Sequence, residues 1–312
     1  MPAVEPGHFF LESARRGQVV VITDSSASIG VAGEDNIGVA VIPLRVLAGG
    51  VAADDPMHPP LPDAVAAEVA KGERLTTARP APEQFAAVYQ LAAAAGVPAI
   101  VSVHLAAELS GTIGSARLAA ASAAVPVQVV DSRTIAAGLG FVVAAASRAA
   151  RAGRSAAEAA RAAMDRAERT VSFFALDTAE HLRAGGRLSA VGPARPGGVL
   201  ASGDRPAARG MLASRPLLRV SDGTITVLER VRTRAAARDR LTELAAAAAA
   251  GLPGGCQLAV QFLGSGDDAA GLHRQVTAAI PAAGHCATVQ ASTAILAHTG
   301  PSLLGVVVTP AI

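Results

Sequence analysis

The 312-residue sequence contains no tryptophan, one tyrosine and seven phenylalanines, so it has few of the flat side chains on which single-stranded nucleic acids stack. Charge of one sign is missing too. Its 27 Lys and Arg stand against 25 Asp and Glu, a formal net charge of +2, which leaves no surplus to neutralise a phosphate backbone. Nucleic acid is therefore not an expected partner. Only two cysteines occur, Cys256 and Cys286, far apart and without metal-ligand spacing. Neither a disulfide framework nor a zinc site is indicated, and both read as small buried apolar residues. The N-terminus lacks the basic segment, apolar block and cleavage pattern of a secretory signal. The longest uncharged apolar stretch, Ile135 to Ala146, stops short of Arg148 and is too short to span a bilayer. The expectation is a cytoplasmic protein with no transmembrane segment.

What is present points to an α/β protein. The length suggests two domains of about 150 residues or one large unit. The first half alternates apolar runs with alanine-rich amphipathic segments, the pattern of parallel strands joined by helices. Val19–Thr23, Val39–Pro43, Val97–Leu105 and Val127–Val130 read as strands, and Pro82–Ala95 and Ser110–Ala124 as helices. A long helical region, Ala136–Arg169, is interrupted near Gly153 and is expected to bridge the domains. In the second half, Leu217–Val220 and Thr224–Val231 flank Ser221-Asp222-Gly223, a hairpin signal. Helices over Arg232–Ala250 and Asp267–Ile280, with strands over Leu258–Leu263, Ala287–Gln290 and Leu304–Val308, complete a second α/β domain with a mixed or antiparallel sheet. The expected division is a disordered extension over 1–17, an N-terminal domain over 18–169 and a C-terminal domain over 170–312. Gly192–Arg209, rich in Gly, Pro and Arg, reads as a mobile loop.

Polar clusters fall at the predicted strand ends. Thr23-Asp24-Ser25-Ser26 follows the first strand, Thr76-Thr77-Ala78-Arg79-Pro80 and Leu109-Ser110-Gly111-Thr112 each precede a helix, and Asp131-Ser132 follows the fourth strand. Ligands of open parallel sheets bind beyond the carboxyl ends of the strands, so these loops can converge on one crevice. Hydroxyls around a glycine at a helix start suit an anion, through N–H groups and the helix dipole. Serine is equally at home there as an N-cap, so Ser110 alone fits either role. Gly185-Gly186-Arg187, Val231-Arg232-Thr233 and His298-Thr299-Gly300-Pro301 lie further on.

With these segments in order, the chain resembles the DegV family, which includes the fatty-acid-binding subunits of bacterial fatty acid kinase. The matching segments are Thr23 to Ser26, Ile42-Pro43-Leu44, Thr77 to Pro82, Leu109 to Ala116, Asp131-Ser132, Gly185 to Ser189, Arg215 to Leu218, Val231 to Thr233 and His298 to Pro301. They run from about residue 18 to 308, nearly the whole chain. The resemblance implies two α/β domains, an N-terminal mostly parallel sheet flanked by helices and a C-terminal one with a mixed sheet, with a long-chain fatty acid in a tunnel between them. Thr77 and Ser110 would bond the carboxylate, with His298 beside them. Ser25, Ser26, Gly111, Thr112, Thr299 and Gly300 would form nearby contacts, and Arg232 would meet a phosphoryl group. The protein would not itself be an enzyme and would need no cofactor or metal. It would present the carboxylate to a separate ATP-dependent kinase subunit and carry the acyl phosphate.

Chemistry is compatible with that carry-over. A carboxylate in an apolar crevice is costly unless several donors reach it, and an acyl phosphate adds charge suited to a guanidinium. Departures from the family pattern are Ala106 and Ala107 where serines are frequent, Ala78-Arg79 for Ser-Gln, Ser302 for glycine, and the long 192–209 segment. His104, His181 and His273 read as structural. The competing class is a serine hydrolase, with Ser110 as nucleophile, His298 as base and Asp24 or Asp131 as orienter. Leu109-Ser110-Gly111-Thr112 lacks the Gly-x-Ser-x-Gly elbow that such an enzyme commonly uses. A phosphate-sugar or nucleotide enzyme ranks behind both, because neither a P-loop nor a dinucleotide fingerprint is present.

Overall fold

The computed structural model describes residues 6–31, 38–188 and 214–311. Its N-terminal half begins with α1 (Pro6–Arg15), β1 (Val20–Asp24), β2 (Val39–Ile42), β3 (Arg45–Ala48), β4 (Val51–Asp54), α2 (Asp63–Ala70) and β5 (Thr76–Ala78). It continues with α3 (Pro82–Ala94), β6 (Ile100–His104), α4 (Thr112–Ala120), β7 (Val127–Asp131), α5 (Ala137–Arg151) and α6 (Ala156–Ala167). Four strands form an all-parallel sheet in the order β2-β1-β6-β7. β1 and β6 are buried along their whole length, as strands covered on both faces are, and their polar residues Thr23, Asp24, Ser102 and His104 are buried with the rest. Val21, Val101 and Val103 pack under α5 and α6 on one face. Val20, Ile22 and Ile100 pack with Phe10, Phe85 and Tyr89 of α1 and α3 on the other.

Two features of this half depart from the sequence reading. Residues 6–15 are helix rather than disordered extension: Phe10 is fully buried in the core under α3, and that apolar burial orders the segment. Beside the parallel sheet stands a three-stranded antiparallel sheet, β4-β3-β5, which periodicity does not reveal because its strands are three or four residues long. Gly49 and Gly50, both at positive φ, turn β3 into β4. β5 then pairs with β3 so that Thr77 lies opposite Val46.

The long helical region divides at Gly153, and Ser155 opens α6 through a capping box with Glu158. Most of α5 covers the parallel sheet, but Ala137 and Phe141 at its start pack on Ala259 and Val307 of the second sheet. Gly140 lets α5 lie close against the segment after β1, since a Cβ there would sit 2.1 Å from the Ser28 carbonyl oxygen.

The C-terminal half contains β8 (Val171–Leu176), α7 (Glu180–Ala184), β9 (Arg215–Ser221), β10 (Thr224–Val231), α8 (Arg234–Ala250), β11 (Cys256–Leu263), α9 (Gly266–Ala279), β12 (Ala283–Gln290), α10 (Thr293–Thr299) and β13 (Leu303–Pro310). Six strands form one mixed sheet, β10-β9-β8-β13-β11-β12, parallel only between β11 and β12. Asp222 and Gly223, both at positive φ, close the β9–β10 hairpin. Alternation sorts the faces. Phe173, Leu217, Val260 and Val306 pack among α8 and α9 residues, whereas Phe174, Leu218, Leu263 and Leu303 look toward the N-terminal half. The 192–209 segment lies outside the described residues. Among those that are described, no helix is long and apolar enough to cross a membrane.

Candidate functional site

Between the carboxyl ends of β1 and β6 and the inner face of the six-stranded sheet lies a cavity of about 680 Å³, part of it continuous with solvent. Leu44, Leu105, Leu109 and Ile135 wall it on the N-terminal side, and Phe174, Val220, Ile225 and Leu303 on the sheet side. Thr77, Ser110, Arg187, His298 and Thr299 also reach it.

The last turn of α10 and the edge strand β5 bring together two residues that are 221 positions apart, as Thr77 Oγ1 and His298 Nε2 lie at 2.7 Å. Burial, reinforced by Arg187, Arg74 and His181, pushes the His298 pKa down to about 4, leaving the ring neutral at neutral pH. Ser110 stands just before α4. Its Oγ lies 2.9 Å from Thr112 Oγ1 and accepts the Thr112 N–H at 3.3 Å. Thus the hydroxyl both braces the helix start and faces the cavity. Arg187 enters from beyond α7, donating Nε–H to the Leu109 carbonyl and Nη1–H to that of Gly185. It satisfies carbonyls, as a cation after a helix end can, and also supplies positive charge to the cavity, a role that sequence reasoning missed.

Arg232 is placed elsewhere. Thr233 caps α8 through its Oγ1, and Arg232, just before that cap, is exposed on the surface and does not line the cavity. Nor does Ser25, whose Oγ donates to Asp55 Oδ2 at 2.7 Å and accepts the Leu44 N–H at 3.0 Å. Thr112 is buried at the α4 start, and Gly111 lies beneath the Arg79 side chain. Thr299 Oγ1 bonds the Ile295 carbonyl, and Gly300, at φ 76, ends α10 against the His181 ring.

Ser26 reaches the cavity under tight control. Its hydroxyl donates to Asp24 Oδ1 at 2.5 Å, and its N–H reaches the same oxygen. Asp24 Oδ2 receives the Leu105 N–H and faces His104 Nδ1, whose Nε2 contacts Ser102, which in turn accepts from Tyr89. Asp24, His104 and Ser102 have the connectivity of a catalytic triad, but all three are fully buried and Ser102 does not line the cavity. The hydrolase arrangement does not assemble either. His298 Nε2 meets Thr77 rather than Ser110, Asp24 is committed to His104, and Asp131 accepts the N–H groups of Ala107 and Arg133. A hydrolytic Ser110 would need a base within hydrogen-bond reach.

Asp55 anchors the N-terminal side to α10. Its buried carboxylate accepts from Ser25, Thr293 and the Met57 N–H, with the Ala294 N–H as a further partner, while burial raises its pKa. This clasp sets the start of the helix that carries His298.

A pH experiment follows from the depressed His298 pKa. The unfolded chain, with an ordinary imidazole near 6.5, binds the proton before the folded one does, so stability contributed by a neutral His298 is lost as pH falls from about 6.5 through 4. His298→Gln is expected to remove that loss. Subtracting its urea-unfolding free energies from those of the wild type between pH 7 and about 4 isolates the residue from other titrations. A flat difference curve would mean that the ring titrates normally.

Comparison with known proteins places this geometry among relatives. The family model described as "Uncharacterised protein, DegV family" matches residues 18–311. A DegV domain-containing protein of Streptomyces coelicolor is 38% identical over 291 residues, covering 93% of this chain and 98% of that one. Among solved structures, one titled "Fatty Acid Binding of a DegV family Protein from Thermus thermophilus" matches with a TM-score of 0.77 and 28% identity, over 94% of this chain and 99% of that chain. A Bacillus subtilis structure titled as DegV, a fatty acid binding protein, shares the fold at a TM-score of 0.75 and 24% identity, over 94% and 99% of the two chains.

Proposed function

The chain belongs to the DegV family, and from that premise we propose that it binds a long-chain fatty acid in this cavity and presents the carboxylate to a separate ATP-dependent kinase subunit, carrying away the acyl phosphate. The observation that carries the reading is the polar group of Thr77, Ser110, His298 and Arg187 at one place in a cavity walled mainly by apolar side chains. Hydroxyls donate to the carboxylate, and Arg187 offsets its charge at short range. With its Nε2–H given to Thr77 Oγ1, the neutral His298 ring leaves the Thr77 hydroxyl proton for the carboxylate without bringing a second buried cation. Apolar walls bind the chain at roughly 0.8 kcal/mol per buried methylene. Fatty-acid binding is supported by the solved DegV-family proteins of Thermus thermophilus and Bacillus subtilis, which are described as binding fatty acids; the kinase step is supported by the family resemblance of the sequence. Arg232, exposed at the surface beyond β10, fits contact with a partner-bound phosphoryl group better than contact with the carboxylate.

Organic extraction of the purified protein, followed by mass spectrometry, is expected to yield a near-stoichiometric fatty acid. An empty extract together with no uptake of added fatty acid would overturn the ligand class. Transfer of phosphate from ATP to the bound acid only when a kinase subunit is added tests the second half.

A further inference from the structure

A second polar pair lines the cavity, and no described hydrogen bond joins it to Thr77, Ser110, His298 or Arg187. Gln261 on β11 is 4% exposed. Its residue parity puts it on the inner face of the sheet, two positions before Leu263. Gly305 pairs with it on the neighbouring strand, where a Cβ would stand 2.8 Å from the Phe173 carbonyl oxygen and 3.3 Å from Gln261 Cγ. The Ala137 N–H donates to Gln261 Oε1 at 3.2 Å, which orients the amide, since an N–H must meet the oxygen. This is the one hydrogen bond of the Gln261 side chain among the described residues, and its Nε2 retains two N–H donors. Ser26 offers the opposite. Its proton is committed to the Asp24 carboxylate, an acceptor-only group, so its oxygen can face the cavity only as an acceptor.

Both residues are held by the junction of β1 and α5. Ala27, next to Ser26, bridges to Ala136, whose carbonyl accepts the Ser28 N–H. Ala136 itself lines the cavity, at φ 54, and precedes the Ala137 N–H that fixes Gln261. A plain hydrocarbon chain passing this junction would bury Nε2–H donors without an acceptor, which is costly. A hydroxyl both accepts and donates.

We propose that the preferred ligand is an acyl chain bearing a hydroxyl, which accepts from Gln261 Nε2–H and donates to Ser26 Oγ. This rests on the fatty-acid reading above and adds the class of acid. A ketone in the same place would satisfy Gln261 alone.

The test compares equilibrium binding of stearic acid with hydroxystearic acids carrying the hydroxyl at successive chain positions, using the full chain stripped of lipid. One positional isomer is expected to bind about tenfold tighter than stearic acid. Gln261→Leu is expected to reduce that advantage to less than about twofold and to tighten stearic acid, as the unpaired donors are gone. Ser26→Ala is expected to weaken the favoured isomer severalfold while sparing the matched ketone. It also serves as the independent check if loss of the Ala137 partner prevents Gln261→Leu from folding. The proposal is overturned if every isomer binds the wild type no better than stearic acid does, or if the preference survives both substitutions. Should neither stearic acid nor any isomer bind, the fatty-acid reading fails first, a result distinct from uniform binding of all of them.

Discussion

A Thr77→Ala/Ser110→Ala variant is expected to bind a long-chain fatty acid about 100-fold more weakly than the wild type, or worse. Each substitution removes a donor from a charged acceptor in an enclosed site, at about 1 to 3 kcal/mol, and tenfold in affinity corresponds to about 1.4 kcal/mol. The two effects need not add, because Thr77 also contacts His298 and Ser110 also holds the Thr112 N–H. Thr77→Ser is the control, since it keeps the hydroxyl; its affinity should stay within a few fold of wild type. Isothermal titration with a solubilised fatty acid reads the difference. Unchanged affinity in the double variant would remove the carboxylate from this end of the cavity. Arg187→Ala is expected to weaken binding as well, whereas Arg232→Ala, on an exposed residue outside the cavity, should alter affinity less than twofold and instead slow phosphorylation by the kinase subunit proposed above. Equal loss of both in Arg232→Ala would place that guanidinium against the carboxylate.

The largest stability change is expected from Asp55→Ala, about 2 to 4 kcal/mol in urea unfolding. It strips the acceptor from the hydroxyls of Ser25 and Thr293 and from the N–H groups of Met57 and Ala294. Buried donors left unpaired cost about 1 to 3 kcal/mol each, reduced where the cavity left behind admits water. Relief of the carboxylate's own desolvation works in the opposite direction. Because burial raises the Asp55 pKa above its unfolded value, ionised Asp55 costs stability above the folded pKa, and that cost disappears as pH falls through it. Asp55→Asn, similar in shape but with an amide in place of one acceptor oxygen, should cost less than Asp55→Ala. A change under about 1 kcal/mol for Asp55→Ala would mean that these hydrogen bonds only offset the burial of the charge. Since Thr293 and Ala294 begin the helix that carries His298 in its last turn, weaker ligand binding should accompany the loss of stability.

Local signals made much of this protein legible from its sequence. Short β-branched apolar runs such as Val19–Ile22 announce buried strands, and Asp222-Gly223 announces its hairpin within two residues. Ser110 and Thr77 stand out because hydroxyls at strand-to-helix turns are local patterns as well. The three-stranded sheet was not legible. Its strands are too short to show a period, and β3 meets β5 across about thirty residues of chain through backbone groups that any sequence possesses. The helix over 6–15 was missed for a related reason, since what orders it is the burial of Phe10 under α3.

What the sequence determined by itself is the order of the longer elements, the α/β class and the family, all carried by short-range pattern and by motifs in register. Tertiary structure alone decided which motifs share a site. It joined Thr77 to His298 across 221 positions and gave His298 to Thr77 rather than to Ser110. It brought Arg187 into the cavity and left Arg232 outside, and it turned Gln261, one residue of an ordinary alternating strand, inward. The reason is physical: propensity and periodicity act over a few residues, whereas desolvation, charge and hydrogen-bond pairing depend on distances that exist only once the two sheets have packed.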